Sequence, residues 1–320
     1  MIQMTEMRRN RTVMALVLIA LGLVPPISAV LQEPYYLSLF TRIVIFAIAA
    51  VSLDLILGYG GLVSFSHAIY LGVGAYAFGI LNYYGVSNGY IHFIVAILAA
   101  ATVALCIGVV SLRTSGVHFI MITLAFGQML YFLALSINTY GGDDGLPVAS
   151  HSDFGSFIDL DNPTVLYYFA FTALLVFLWL GNHLVHSRFG MIIRGVKSNE
   201  RRMVAIGCPT FRYKLAAFVI SGAMCGFGGA LLANQALFVS PAIMQWARSG
   251  EIMVMVIVGG IGTLFGPLLG AVLYLVVEDV LSGLTTYWQM ILGIIVIGVV
   301  LFAKRGLMGL ASGSPGANHG

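Results

Sequence analysis

Long apolar runs recur along this chain, and they determine its solvent. Leu62–Tyr84, Ile91–Ser111, Val117–Ile137 and Val165–Val185 contain no Lys, Arg, Asp or Glu. A helix needs about 20 such residues to cross the hydrocarbon core of a bilayer. Further runs of this kind are Val13–Leu31, Ser38–Leu57, Lys214–Leu237, an interrupted one from about Gly250 to Leu281, and Trp288–Ala303. Of the 320 residues 60% are hydrophobic and 8% charged, against about 25% charged in a soluble domain. A chain so poor in charge cannot coat a water-facing surface, and its mean hydropathy of +0.99 says the same. Its 38 glycines suit membrane helices, where glycine is frequent. The expected class is an all-α integral membrane protein, a polytopic helix bundle surrounded by lipid. A net charge of +3 is too small to suggest nucleic acid as a partner.

Orientation follows the basic residues, which stay on the cytoplasmic side. Arg8, Arg9 and Arg11 precede the first run, Arg113 follows the fourth, and Arg188, Arg194, Lys197, Arg201, Arg202, Arg212 and Lys214 follow the sixth. Simple alternation puts all three groups in the cytoplasm. The segment Asn138–Pro163, with Asp143, Asp144, Asp153, Asp159 and Asp161 and no Lys or Arg, then lies outside. The first run is long and has no clear A-x-A cleavage site after it, so a retained helix is expected rather than a cleaved signal peptide. Lys304 and Arg305 place the C-terminus in the cytoplasm with the N-terminus, which requires the run from about Gly250 to Leu281 to cross an even number of times or not at all. Its centre reads Gly259-Gly260-Ile261-Gly262-Thr263-Leu264-Phe265-Gly266-Pro267, a density of helix breakers that predicts two half-helices in a re-entrant hairpin. The expectation is about 8 full spans plus this broken hairpin, with 10 spans as the alternative. The expected organisation is one transmembrane domain over 1–311, with 186–213 its cytoplasmic loop, and a disordered tail over 312–320.

Small residues line one face of two runs: Ser64, Ala68, Gly72, Ala75 and Gly79, and Gly222, Gly226, Gly229 and Ala233. Close helix packing accounts for such stripes first, and a wall beside a solute path second. Polar groups within the runs are few: Arg42 and Asp54 near the ends of the second, His67 and His118 near the starts of the third and fifth, Gln128 deeper, Thr123 and Gly127 on one helix face, and Glu278 and Asp279 at the end of the hairpin. No run by itself presents paired carboxylates at mid-depth. Cys106, Cys208 and Cys225 lack metal-ligand spacing and read as fillers. Neither H-E-x-x-H nor G-x-x-x-x-G-K-[ST] occurs, so protease chemistry and a built-in nucleotide motor have no motif here. Energy for any transport would then enter from another subunit. The basic loop His186–Tyr213 is the natural port. Ser198 and Glu200 could start a short helix, Gly207 and Pro209 would end it, and Ile192, Val196 and Met203 would dock it.

At this point the chain resembles the permease subunits of branched-chain amino-acid ABC importers of the LivM type. The resemblance rests on Leu57-Gly58-Tyr59-Gly60-Gly61-Leu62-Val63-Ser64-Phe65-Ser66-His67-Ala68, on Thr123-Leu124-Ala125-Phe126-Gly127, on Gly141-Gly142-Asp143-Asp144-Gly145, on Ser187-Arg188-Phe189-Gly190 through Asn199-Glu200 and Gly207, and on Gly259 to Pro267. It implies a bacterial inner-membrane protein that is not an enzyme. The implied partners are a second homologous permease, two ATP-binding cassette subunits that hold ATP and Mg, and a periplasmic solute-binding protein; no cofactor falls on this chain. It implies ATPase coupling through the loop bearing Arg194, Asn199, Glu200 and Gly207, where Arg201 and Arg202 depart from the small residues usual in the family. Candidate path residues are Gly60, Gly61, Ser64, Ser66, His67, Thr123, Gln128, Gly259, Gly260, Gly262 and Thr263. The family also takes urea and short amides, and the residues do not separate these solutes.

Overall fold

The computed structural model describes residues 14–155, 159–302 and 306–308. The arginines before the first run, Lys304, Arg305 and the tail lie outside the described residues. The first run is helical over 14–22 and again over α1 (Val24–Leu31). Pro25 and Pro26 lack amide protons, so the first helix cannot continue through them without a break. α2 (Pro34–Asp54) opens on Pro34, whose fixed φ suits a first turn. It runs on into a π-helical turn, Leu55–Tyr59. α3 (His67–Tyr83), α4 (Gly89–Ser111), α5 (Val117–Ser136) and α6 (Pro163–His186) follow. Asn88 caps α4 by accepting the amides of Tyr90 and Ile91, and Asn162 caps α6 by accepting that of Thr164. Then come α7 (Arg188–Ala205), α8 (Thr210–Ala236), α9 (Trp246–Gly259), α10 (Gly266–Leu284) and α11 (Trp288–Phe302). Two short strands, β1 (Leu146–Pro147) and β2 (Phe238–Val239), pair antiparallel.

α8 is the central helix, packed most extensively against α4, α3 and α2. Its glycine stripe is what lets those backbones close in. A methyl group on Gly226 would strike Ala100 of α4, and one on Gly74 of α3 would strike the Gly226 carbonyl. The stripe is therefore filled by neighbouring helices, the first of the two readings above. With little hydrophobic drive between helices in lipid, such van der Waals contact is the main source of association.

Two boundaries differ from the sequence reading. The run Leu62–Tyr84 becomes helical only at His67. Gly61 has a left-handed φ of +68°, and the Ser64 hydroxyl accepts the Ser66 amide at 3.3 Å, so residues 62–66 form an irregular strap. The interrupted run breaks where expected, at 260–265. α9, with 14 residues, is a half-helix. α10, with 19, is long enough to cross alone. The chain reaches α9 by an irregular descent along α3: Val239 lies beside Gly79, Met244 fills the space over Gly72, and Ser249 accepts the Ala68 amide at 3.0 Å. Counting 14–31 as one segment and α9 as another, ten helical segments of the described residues run through the bundle; the 10-span alternative takes each of them as a pass, and the eight-span reading takes α9 as half of a hairpin. Six of the helices are individually long and apolar enough to span a membrane.

Candidate functional site

Three irregular segments meet at the end of the bundle that carries α7. The Asp54 carboxylate, at the end of α2, accepts the Gly262 amide at 2.8 Å. The Lys197 ammonium, from α7, donates to the Gly58 carbonyl at 2.5 Å. A π-turn and a broken hairpin both leave backbone groups without helical partners, and here each is satisfied by a charged side chain, which makes the bonds strong. The stem of Lys197 also lies over Gly61, where a side chain would press on it. Lys197 thus joins α7 to the π-turn, and Asp54 joins the π-turn to the α9–α10 break.

α7 is two helices. Ser187 caps the first by accepting the Gly190 amide, and Ile193 and Val196 are its buried residues. Asn199 has extended torsions (φ −161°, ψ 98°) and its side chain accepts the Arg202 amide at 3.0 Å, so it caps the second. This corrects the expected start at Ser198 or Glu200: an N-cap needs an extended backbone and a short acceptor side chain, and Asn199 has both. Gly207 ends the segment with φ +84°. Glu200, its side chain 42% exposed, pairs with Lys214 at 2.6 Å and accepts from Thr210 at 3.2 Å, fastening the loop to the start of α8. Arg194 bends back to the Gly190 and Val185 carbonyls. Arg201 and Arg202 are exposed, as is Arg188 at the start of the segment.

The expected path residues fall into three groups. Gly60 and Gly61 line a cleft of about 200 Å3 with Val196, Lys197, Glu200 and Lys214. Gly262 and Thr263 line another, of about 630 Å3, with Tyr59, Leu178 and Asn182. Gly259 and Gly260 are buried in the packing of α9 on α10. The remainder are stitches inside the bundle. Ser64 and Ser66 bond each other at 2.8 Å, Ser66 donates to the Tyr70 hydroxyl at 3.0 Å, and Thr123 accepts the Phe65 amide at 3.3 Å. His67 is fully buried and shares a 2.8 Å bond with Ser221 of α8. Ser221 in turn donates to the Ser52 carbonyl of α2. That hydroxyl has one proton, so His67 Nε2 must be the donor to it. Gln128 is half-buried and its Nε2 has no partner. His67, Ser64, Ser66 and Thr123 border neither of these clefts.

One constellation was missed. Arg42 pairs with Glu278 at 3.1 Å and Arg248 with Glu251 at 2.6 Å. Glu278 and Arg42 both act electrostatically on Glu251. α2, α9 and α10 thus bring four charged side chains together, the acids more buried than the arginines, so carboxylates from separate runs do come together, which no run read singly shows. The readable signal was Arg248 and Glu251, of opposite sign and three apart in an apolar stretch.

A lipid-facing bundle of membrane-length helices, with broken segments tied to an amphipathic helix pair at one end, defines a multi-pass transport permease. A family model described as branched-chain amino acid transport system / permease component matches residues 35–301. The chain belongs to that family. It is 27% identical over 292 residues to the high-affinity branched-chain amino acid transport system permease protein LivM of Escherichia coli (strain K12), covering 84% of this chain and 68% of the relative. The L-arabinose ABC transporter permease protein AraH of Azospirillum brasilense is 28% identical over 218 residues, covering 64% and 61%. The probable branched-chain amino acid transport permease protein LivM of Methanocaldococcus jannaschii is 22% identical over 278 residues, covering 74% and 79%. No solved structure matches this chain. As an ABC permease of the branched-chain amino acid type, it works in a complex with other subunits.

Proposed function

We propose that this chain is one membrane half of an ATP-driven importer that carries leucine, isoleucine and valine into the bacterial cytoplasm by alternating access. It sits in the inner membrane with both termini cytoplasmic. A second, similar permease forms the other half, two ATP-binding cassette subunits hold ATP and Mg below, and a periplasmic solute-binding protein delivers the amino acid. The names of the LivM relatives, branched-chain amino acid transport permeases, support the solute class.

The observation that carries the mechanism is the pair of bonds Lys197–Gly58 and Asp54–Gly262. Among the described helices of more than four residues, α7 alone lies outside the apolar runs, and its strong amphipathicity fits a groove on a partner. Closure of the ATPase dimer would displace α7. Lys197 passes that displacement to the π-turn, and Asp54 passes it to the α9–α10 break. Breaks move where continuous helices resist, because they have already given up their i→i−4 ladder. Arg201 and Arg202 face the ATPase, and the exposed Asp143 and Asp144 at the opposite end face the binding protein.

Reconstitution of the four-subunit complex in liposomes tests the reading. Leucine uptake should require the ATPases and the binding protein. Glu200→Gln and Gly207→Val should cut uptake while the complex still assembles. Uptake with the ATPases absent would identify a secondary carrier instead. Exclusive uptake of urea, a short amide or, as the arabinose relative's name suggests, a pentose would reassign the solute.

A further inference from the structure

A cleft of about 460 Å3 opens between α2, α8 and the descent into α9, a size typical of small-molecule sites at ~300–1,000 Å3. Most of its wall is apolar, including Phe46, Leu71, Leu232 and Ile243. Arg42 and Arg248 both reach it, with side chains 36% and 37% exposed. Each guanidinium uses one nitrogen on the carboxylate behind it, Arg42 on Glu278 and Arg248 on Glu251. A guanidinium carries five donors, so several remain for the cleft. The acids do more than cancel charge: they hold each fork in place, which lowers the cost of ordering it around an anion.

The opposite polarity is present too. Gln235, from α8, lines the same cleft. Its Nε2 donates to the Ser38 carbonyl at 2.7 Å. A carbonyl only accepts, so that bond settles which end of the amide is nitrogen, and Oε1 is left buried with no partner. Glu278, 9% exposed, likewise keeps Oε2 buried and unpartnered beside Arg42. Buried acceptors without donors are rare in a finished interior and point to a missing one.

We infer that this cleft is a zwitterion site inside the membrane, taking an α-amino acid with its carboxylate on Arg42 and Arg248, its ammonium on Gln235, and an aliphatic side chain against the apolar wall. The inference rests on the proposed importer and deepens it: affinity for the solute would reside in the permease as well as in the delivering protein. A neutral amide or sugar offers the forks no anion and Gln235 no cation, so the site selects against both.

The test is equilibrium binding of labelled L-leucine to the purified membrane complex of permeases and ATPases, with the binding protein left out. Wild type should bind leucine. Leucinamide, lacking the carboxylate, and 4-methylpentanoate, lacking the ammonium, should compete at least about tenfold more weakly, the scale of one lost charged hydrogen bond. Arg248→Gln should weaken leucine binding by about the same factor, with Arg248→Lys intermediate. If Arg248→Gln does not assemble, the neutral pair Arg42→Gln with Glu278→Gln keeps the buried contact and removes the fork. Unchanged leucine binding in an assembled variant, equal competition by leucinamide, or no leucine binding by wild type would each overturn the site. The importer reading would stand in all three cases if leucine uptake with the binding protein present remained ATP-driven.

Discussion

Ser221 holds three helices together with one hydroxyl. It accepts from His67 of α3 and donates to the Ser52 carbonyl of α2 while sitting on α8, and Cys225 one turn on donates to the His67 carbonyl at 3.3 Å. All of these groups are fully buried, where an unmatched polar atom is costly. Ser221→Ala should therefore lower stability by about 1–3 kcal/mol, seen as a reduced Tm of the detergent-solubilised protein. Lys197 and Asp54 belong to a different kind of residue, since they satisfy backbone that the proposed transport cycle moves. Lys197→Met removes the link between α7 and the π-turn but keeps the stem over Gly61. It should reduce leucine uptake per ATP hydrolysed by about 5- to 150-fold, the range of an ordinary coupling energy. Uptake per ATP equal to wild type would show that the drive travels by another route.

At the level of elements, α7 and α8 answer to opposite demands. The second half of α7 is short and depends on its cap. Asn199→Ala should cost it about 1 kcal/mol, with faster amide exchange confined to residues 200–205 and recovery in Asn199→Asp. α8 is long, central and needs no cap, but it has no room. Gly226→Val would force its added atoms into Ala100 of α4 and should destabilise by about 1–3 kcal/mol through overpacking, again read as a fall in Tm. The same substitution at Gly283, which has nothing near it, should leave Tm almost unchanged.

For the whole molecule, the proposed orientation has a checkable consequence. The α7 segment and the β1–β2 ribbon lie at opposite ends of the bundle. In a chain with Cys106, Cys208 and Cys225 replaced by Ala, single cysteines at Arg201 and Asp144 should react with a membrane-impermeant maleimide from opposite faces, Arg201 from the cytoplasm. Reaction of both from one face would break the assigned topology. The layout also relates the two candidate sites: the zwitterion cleft meets α9 at Arg248 in its first turn, and the Asp54–Gly262 bond lies just past its C-terminal end. A shift of this 14-residue helix would be felt at both.

Sequence alone determined the solvent of this protein, its helical class and most of its spans, because burying charge in lipid is so costly that composition leaves few choices. It also located the break within Gly259–Pro267, since glycine density in an apolar run has few other uses, and it marked α7 as the polar exception. It misplaced the start of the third helix, because the serines of the 62–66 strap look like small helix-packing residues until their hydroxyls are seen bonding one another. It read His67 as a path residue, because a lone histidine in an apolar run does not reveal which helix will supply its partner. Only tertiary structure decided that Asp54 serves Gly262, that Lys197 serves Gly58, and that Arg42, Arg248, Glu251 and Glu278 converge. Apart from Arg248 and Glu251, three residues apart, the bonded pairs are separated by 139 to 236 residues. A run read singly shows what a helix must bury, and only the packing of helices against one another shows with what.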